Sequence, residues 1–249
     1  MSFLEEAQLE EFVRLVSLSD REVRSDLAIG AIKDENDYTS NFTSALRRNI
    51  NSYSQSGLPA TSFLLQHTEE REMGADAAIV LSRGEASKVA VFEAKWPRLS
   101  DPHYRWDYEQ TATGLSHFSD QLQRQERWGG KLAVFEIFYT EESLGTSSSF
   151  FGADGSSCVW RDDADDFRRR RPDPNAIWTQ DELRKLLETK KVSLAEVMKE
   201  FGVCHQGKPI QMVKPIEIGY EYRLPANLIA IHAGKEPNPT RRRLRRRIE

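Results

Sequence analysis

The chain has little cysteine: Cys158 and Cys204 are its only two, and they stand far apart. A disulfide framework or a structural zinc site is therefore not expected, and a reducing compartment suits the composition. Long hydrophobic runs are also missing, since no apolar stretch approaches the ~18 residues that a membrane helix needs. The first residues, MSFLEEAQLEEF, are acidic and lack the basic and apolar segments of a signal peptide. We therefore expect a cytoplasmic protein without a membrane partner.

Two groups of enzyme motifs are absent as well. The sequence has no phosphate-cradling glycine loop and no serine or cysteine nucleophile motif. Its five histidines are scattered and do not have the spacing of metal ligands. What remains is a chain of 249 residues, 39% of them hydrophobic, which is enough for one large domain or two small ones.

Positive charge is concentrated, although the net charge is only −4. Arg168, Arg169, Arg170 and Arg171 form one block, and six more arginines lie in the C-terminal RRRLRRR; without these ten, the chain would carry −14. Basic patches of this kind are common in nucleic-acid-binding proteins, so the first block is a candidate contact. The alternative is that DDADDFRRRR is a self-paired surface loop and that the tail is a solvated end.

The pattern of apolar residues predicts an α/β fold. In chain order it indicates two helices (3–23 and 34–54), a strand (61–67), a hairpin (74–82 and 88–96 around the turn RGEAS), a helix (107–128) and a strong strand (131–140). A strand, a helix and a further strand in succession imply that those two strands are parallel.

The composition changes after residue 141. Residues 142–175 are rich in serine, glycine and charge, which predicts a loop or insertion. Capping boxes at Thr179 and Ser193 indicate two short helices, and a strand-like run follows at 215–222. We therefore divide the chain into a helical segment (1–30), an α/β core (31–141), a loop or insertion (142–175), an α-rich C-terminal extension packed on the core (176–236) and an arginine-rich tail (237–249).

Charged residues interrupt the two hairpin strands at one end. Asp76 begins the first strand, and Glu93 and Lys95 end the second, directly after VAVF. Strand alternation puts Glu93 and Lys95 on one face, and antiparallel pairing brings Asp76 beside them. Two carboxylates suit Mg²⁺ or Mn²⁺, with the Ala94 carbonyl as a third ligand and Lys95 on a bound water. The alternative is an exposed strand end with weak ion pairs, as at Glu188-x-Lys190, which lies in an expected helix.

The arrangement of Asp76 with Glu93 and Lys95 resembles the PD-(D/E)XK nuclease superfamily, which has the restriction-endonuclease-like fold. The resemblance covers about residues 34–140, and it departs from the common pattern in having Ala75 where a proline often precedes the aspartate. It implies a mixed β-sheet flanked by helices and Mg²⁺-dependent cleavage of DNA. In that family pattern, the two acids bind the metal and the lysine assists the water.

The same resemblance implies two further catalytic residues. Members often carry an acidic residue in the first helix, where Glu35 stands, and a glutamine in the helix after the lysine strand, where Gln121 stands. Next to the lysine strand, Arg98 and Arg105 lie among aromatic residues. This aromatic and basic loop predicts either stacking on nucleobases or a lid anchored in the core.

The sequence thus predicts a metal-dependent endonuclease that hydrolyses phosphodiester bonds of DNA, which by analogy suits a restriction or antiviral defence effector. One alternative is a non-catalytic member of the fold that acts as a DNA-binding or protein-interaction subunit. A second alternative is a ribonuclease. Since no sequence-reading module is visible, we expect specificity to come from a homodimer or from a partner subunit.

Overall fold

A seven-stranded mixed β-sheet organises the chain, and helices pack on both of its faces. The structure, a computed structural model, describes residues 2–65, 74–98, 104–111, 113–139, 155–212 and 214–234. The predicted arginine-rich tail and residues 142–154 of the predicted insertion lie outside these ranges. Within them, no helix is both long and apolar enough to cross a bilayer. The expected α/β class with a mixed sheet between helices is confirmed.

The helices and strands follow one another along the whole of the described chain. The helices are α1 (Glu6–Ala28), α2 (Glu35–Tyr53), α3 (His117–Arg124), α4 (Arg161–Arg169), α5 (Gln180–Lys190), α6 (Leu194–Gly202) and α7 (Pro215–Glu221). The strands are β1 (Ala60–Leu64), β2 (Ala77–Arg83), β3 (Ala86–Lys95), β4 (Ala133–Phe138), β5 (Ser157–Trp160), β6 (Val192–Ser193) and β7 (Asn227–His232). A 3-10 turn, Gln125–Trp128, extends α3.

Helix α2 forms where the sequence predicts it. The carboxylate of Asp34 accepts a hydrogen bond of 2.8 Å from the backbone N–H of Asp37, which caps the first turn. Tyr38, Phe42 and Leu46 follow at intervals of four residues, and all three are buried against the sheet. The capped start of α2 is therefore fixed near the end of the sheet that carries the charged residues.

The predicted hairpin of β2 and β3 is confirmed, but its turn is tighter than expected. Arg83 already pairs with Ala86, so only Gly84 and Glu85 form the turn. Gly84 has φ +59°, a conformation that glycine adopts without steric cost. The two strands therefore stay in register over seven residue pairs, from Ala77 opposite Phe92 to the turn.

The order of the strands is β1-β7-β2-β3-β4-β5-β6. Strands β3 and β4 are parallel, as the connection through α3 predicts. Strand β7 lies between β1 and β2, antiparallel to the first and parallel to the second. The expectation of an α-rich extension packed on the core is therefore incomplete, because residues 176–236 also supply β6 and β7 to the sheet itself.

The expectation of a loop over 142–175 is wrong for residues 157–169, which form β5 and α4. The run of β5 is too short to show an apolar period, so its pairing with β4 is invisible in the sequence. Helix α4 has Asp162 and Asp163 in its first turn and Arg168 and Arg169 in its last. Acids at the start and bases at the end stabilise a helix dipole, which explains a helix with little apolar content.

Two further expectations are corrected by the structure. Residues 215–222 were expected as strand but form α7, because Pro215 occupies the first helical turn, where its missing N–H costs nothing, and Ile218 packs inward. The helix expected over 107–128 begins only at His117, where the Ser116 side chain accepts a hydrogen bond of 3.0 Å from the Ser119 N–H. The described residues 107–111 and 113–115 are not helical.

The alternation of side chains along the central strands sets the position of the site. Ile79, Phe92 and Phe135 lie on the face that packs against α1, α2 and α6. Val91 and Val134 lie on the opposite face, which α3, α7 and the 3-10 turn cover, and which we call the α3 face. Because side chains alternate along a strand, the residues two positions after these valines continue the α3 face toward the sheet edge.

One carboxylate of α1 anchors the connection between α2 and β1. Glu11 accepts hydrogen bonds of 2.7 Å from the Gln55 N–H, 2.9 Å from the Ser56 N–H and 2.7 Å from the Ser54 hydroxyl. Burial alone would raise its pKa, but these hydrogen bonds lower the pKa of Glu11 to about 2. The ionised form therefore stabilises the fold above the ordinary pKa of 4.5, and that contribution is lost as the pH falls through about 2.

We predict that Glu11→Gln lowers the free energy of unfolding by about 1–3 kcal/mol at about pH 7, because charge-assisted hydrogen bonds are lost. Most of this difference should disappear at about pH 2.5. Urea unfolding of both proteins at the two pH values measures it. The exposed neighbour Glu10, changed to Gln, is the control. A gap that stays constant with pH would show that ionisation of Glu11 does not stabilise the connection.

Candidate functional site

Three carboxylates, those of Asp76, Glu93 and Glu136, lie side by side on the α3 face. Register pairs Glu93 of β3 with Glu136 of β4. On the other side of β3, the backbone N–H of Asp76 donates a hydrogen bond of 2.9 Å to the Phe92 carbonyl, which places Asp76 beside Glu93. Lys95 follows two residues after Glu93 on the same face. The structure therefore brings the three predicted residues together and adds Glu136 to them.

Lys95 is the cation at the centre of this group. Its Nζ lies 2.6 Å from Glu93 Oε1 and 3.9 Å from Glu35 Oε2, and the side chain is buried. Burial alone would lower the pKa of Lys95, but the carboxylates of Glu93, Glu35 and Asp76 raise it above its usual value. Lys95 is therefore protonated at neutral pH and acts as a hydrogen-bond donor.

Glu35 connects the start of α2 to the end of β3. Its Oε1 accepts a hydrogen bond of 3.0 Å from the Trp96 N–H, while Oε2 faces Lys95. Burial raises the pKa of Glu35, although Lys95 and the Trp96 N–H act in the opposite direction. The structure thus brings Glu35 to the site, at the position where the sequence predicts an acid from the first helix of the core.

Helix α3 approaches the carboxylates closely. Gln121, as predicted, faces the site: its Nε2 donates to Glu93 Oε1. One turn later, Gln125 Nε2 donates 2.5 Å to the Gly74 carbonyl, just before β2. Gly74 has φ +65°, and a Cβ there would lie 3.0 Å from the Gln121 carbonyl oxygen. A glycine at this position is what lets the helix backbone lie directly over the strand ends.

Ala94 links the two predicted acids through its backbone. Its N–H donates 2.8 Å to Asp76 Oδ2. In an extended strand the N–H and the carbonyl of one residue point to the same side, so the Ala94 carbonyl also faces the β2 side, where the sequence predicts a metal ligand. Burial and the neighbouring Glu93 raise the pKa of Asp76 well above its usual value, with Lys95 acting against them.

The site has more buried acceptors than donors. Both oxygens of Glu136 and the Oε1 atoms of Gln121 and Gln125 are buried without a hydrogen-bond partner in the described residues. Burial and the charge of Glu93 raise the pKa of Glu136 to about 8. Since all four atoms are acceptors, they require hydrogen-bond donors from water molecules, a proton on a carboxyl group, or a cation.

The donor chemistry of the site fits a hard divalent cation. Asp76 Oδ1 and Glu93 Oε2 make no hydrogen bond within the described residues, and oxygen ligands are those that Mg²⁺ and Mn²⁺ prefer. Across the described chain, however, no three His, Cys, Asp or Glu side chains are arranged as a metal-binding group. The residues therefore match a cation in chemistry and charge, while a complete set of side-chain ligands is not formed.

A cleft of about 1150 Å³ opens above these carboxylates. Besides Glu35, Asp76, Glu93 and Gln121, its walls include Asn36, Tyr108, Gln110, Thr111, His117, Asp120, Arg124 and Arg127. Arg124 Nε lies 2.8 Å from Asp120 Oδ2, and the Arg127 guanidinium lies 5.0 Å from the Trp128 ring centre. These two arginines were not among the sequence candidates. Arg124 lies three residues after Gln121 in the expected helix, a spacing that predicts a shared face, whereas Arg127, six residues after Gln121, has no such signal.

The two arginines predicted in the aromatic loop have different surroundings. The Arg98 guanidinium lies 3.9 Å from the Trp96 ring centre and 4.7 Å from the Tyr104 ring centre, between the two rings. Arg105 is exposed. Trp106, from the same loop, is buried in the core with Phe118. This loop is therefore anchored in the core, as one of the two sequence interpretations expects.

The four-arginine block is paired with nearby acids. Arg168 and Arg169 lie 2.7 Å and 2.5 Å from the carboxylate oxygens of Asp165. Arg170 lies 2.6 Å from Asp166. Arg171 is buried, with its Nε 2.7 Å from Glu182 Oε1. The block is thus self-paired, on and beside a helix rather than in a loop, and none of the six predicted arginines is among the described residues that line the cleft.

Glu136 is the main residue that the sequence interpretation missed. It lies inside KLAVFEIFYT, the most apolar strand of the chain. A lone acid within an apolar strand is the same anomaly that singles out Glu93, so the signal was present. The sequence predicts only a strand at this position, because no second charged residue follows Glu136 in β4.

No protein-family model, curated protein or solved structure matches this chain.

The raised pKa of Glu136 has a consequence for stability. Because the pKa in the folded protein, about 8, lies above the ordinary 4.5, the neutral carboxyl stabilises the fold below 4.5, and this contribution is lost as the pH rises toward 8. In the presence of a chelator, we predict that the free energy of unfolding of Glu136→Gln rises by roughly 2–4 kcal/mol relative to that of the natural protein as the pH increases from about 4.5 to about 9. Denaturant unfolding across this range measures the gain.

Glu188→Gln is the matched control, because Glu188 is exposed on α5. It should follow the natural protein at every pH. If the unfolding free energies of Glu136→Gln and the natural protein differ by a constant amount across this range, Glu136 ionises normally in the folded protein. Another group of the site then supplies the positive charge that stabilises its carboxylate.

Proposed function

We propose that the chain is a metal-dependent nuclease of the restriction-endonuclease-like fold that hydrolyses phosphodiester bonds of DNA. The observation that carries this proposal is the buried contact of Lys95 Nζ with Glu93, beside Asp76 at the open end of an antiparallel hairpin. Glu35 and Gln121 reach the same group from the two helices that the resemblance requires. The group thus contains two residues of β3, one each of α2 and α3, and Asp76 just before β2, which supports the site that the resemblance implies.

The order of elements supports the fold part of the proposal. Helix α2, strands β1, β2 and β3, helix α3 and strand β4 follow one another as in the core implied by the resemblance. The parallel pairing of β3 with β4 also agrees with it. Strand β7 departs from it by lying between β1 and β2. We interpret β7 as an addition, because it leaves the hairpin and the strand that follows α3 unchanged.

In this proposal each residue has a defined role. Asp76, Glu93 and the Ala94 carbonyl would hold Mg²⁺, or Mn²⁺ in its place, which when bound polarises a phosphate oxygen and lowers the pKa of water. Lys95 is protonated, so it orients the attacking water by donating a hydrogen bond and offsets charge that develops on the phosphate. Gln121 fixes the Glu93 carboxylate, and Glu35 limits the movement of Lys95.

The substrate and setting remain predictions from the sequence. DNA is the proposed partner, and a role in restriction or antiviral defence in the cytoplasm follows by analogy only. Within the described residues, the six predicted arginines lie outside the cleft walls. Phosphate contacts at the site itself are therefore proposed for Arg124 and Arg127. A homodimer or a partner subunit would supply specificity, and RNA is the alternative substrate.

One observation favours a second candidate, a non-catalytic DNA-binding or protein-interaction subunit of the same fold. In the described part of the chain, no three acidic, histidine or cysteine side chains form a metal-binding group. Glu93 Oε1 also receives hydrogen bonds from both Lys95 and Gln121. Such contacts would fix the carboxylates in a purely structural role. Metal-dependent cleavage separates the two candidates.

We predict that Asp76→Ala, Glu93→Ala and Lys95→Ala each lower the rate of plasmid nicking by at least ~100-fold, because the two acids would hold the cation that offsets charge at the reacting phosphate and Lys95 supplies a positive charge of its own. The assay uses purified protein with Mg²⁺ or Mn²⁺ and a parallel sample in EDTA. Glu188→Ala is the matched control, because it alters the other Glu-x-Lys of the chain at an exposed helical position. It should nick at the natural rate.

Folding is checked separately, since Lys95 and Glu93 are buried. Lys95→Met keeps most of the side-chain volume, and thermal unfolding shows whether each variant remains folded. Folded variants that nick plasmid at the natural rate would exclude this site from catalysis. A natural protein that cleaves neither DNA nor RNA with either metal would favour the non-catalytic candidate.

A further inference from the structure

An aromatic side chain stands exposed in the wall of the cleft. Tyr108 is 54% exposed, which places it among the few large apolar side chains on the surface. Its ring stacks on the imidazole of His117, with centroids 4.5 Å apart and planes 14° apart. No other aromatic or cationic side chain of the described chain stacks on Tyr108. One side of the ring pair is therefore available for a flat ligand.

The backbone around Tyr108 is held firmly in place. Its carbonyl accepts a hydrogen bond of 2.8 Å from the His117 N–H. The preceding residue, Asp107, is buried. Its carboxylate accepts a hydrogen bond of 2.9 Å from the Phe118 N–H and another of 2.8 Å from the Trp178 N–H. The loop therefore presents the aromatic ring without a large ordering cost, which is what a preformed binding surface needs.

The chemistry around the ring matches the parts of a nucleotide. Tyr108 shares the cleft with Asp76 and Glu93, so a ligand stacked on it lies near the proposed reaction centre. Arg124 lines the same cleft and suits a phosphate, and Gln110 supplies amide groups for the edge of a base. Aromatic stacking on a base contributes about 1–3 kcal/mol and is available to every nucleobase.

His117 acts here as a stacking surface rather than as a cation. Burial and the neighbouring Lys95 lower the pKa of His117 to about 4, so the imidazole is neutral at neutral pH. A neutral ring does not contribute the charge that phosphate binding needs. It supports the Tyr108 ring from behind and leaves the phosphates to the cleft arginines.

We infer that Tyr108 is a stacking site for an unpaired nucleobase beside the reaction centre, so that the cleft takes nucleic acid that is single-stranded at the point of cleavage. This inference rests on the proposed nuclease function. In a duplex, the faces of each base are covered by its neighbours, and an exposed ring has no base to contact unless one leaves the stack. The acidic floor of the cleft also disfavours binding by phosphate charge alone.

Binding of a fluorescent oligonucleotide tests this inference without requiring cleavage. The probe is a short single-stranded DNA that contains 2-aminopurine, whose fluorescence falls on stacking, and it is added to Lys95→Ala protein with Mg²⁺ and to natural protein in EDTA. Tyr108→Ala should weaken binding roughly 10-fold, whereas Tyr108→Phe should bind as the parent does, because the ring and not the hydroxyl stacks. Tyr53→Ala, at a similarly exposed tyrosine outside the cleft, should have no effect.

Parallel titrations use duplex DNA and single-stranded RNA of the same sequence. Loss of affinity on either type of single strand, but not on the duplex, supports the inference and identifies the preferred strand. Tyr108→Ala that binds as its parent does, equal losses on duplex and single strand, or a Tyr108→Phe loss as large as that of Tyr108→Ala would overturn it. If binding depends on Tyr108 but the protein cleaves nothing, the nuclease proposal is refuted and the stacking site stands. If the protein cleaves nucleic acid and Tyr108→Ala leaves cleavage unchanged, the nuclease proposal stands and the stacking site is refuted.

Discussion

The contact between Lys95 and Glu93 is the interaction on which the site depends. Both side chains are buried, and removing either partner from such a pair leaves an uncompensated charge in a low-dielectric environment. The surrounding elements each supply a group to this pair: α2 supplies Glu35 and α3 supplies Gln121. Gly74, just before β2, is needed because α3 must lie close enough for the Gln121 amide to reach Glu93. The packing of α2 and α3 on the strand ends and the charged contacts of the site therefore depend on the same buried pair.

Local patterns made the hairpin and its charged end predictable. Alternation along a strand fixes which residues share a face, and a short turn fixes which strand ends are neighbours, so Asp76, Glu93 and Lys95 were found without any knowledge of distant contacts. The capped helices α2, α5 and α6 were predictable for the same reason, since Asp34, Thr179 and Ser193 signal their starts within four residues.

Features that depend on distant parts of the chain were not predictable in this way. The insertion of β7 pairs residues that are about 150 positions apart, and no local period records such pairing. The same holds for β5, whose run is too short to show its pairing with β4. Glu136 is different, because a lone acid in an apolar strand and the expected parallel pairing of β3 with β4 together indicate a position near Glu93. The arginine block has partners within the protein, Asp165, Asp166 and Glu182, which its composition alone does not reveal, while its contact with nucleic acid stays a prediction.

The position of β7 also constrains the order in which the protein folds. Strand β2 begins directly after Asp76, the first acid of the site, yet one of its two edges is paired only when residues 227–232 have been made. Until residues 227–232 have been synthesised, one edge of β2, whose first five residues are apolar, has no strand partner, and an unpaired edge of this kind promotes aggregation. A truncated product lacking β7 would keep the hairpin, α3 and β4 but would leave one edge of β2 unpaired.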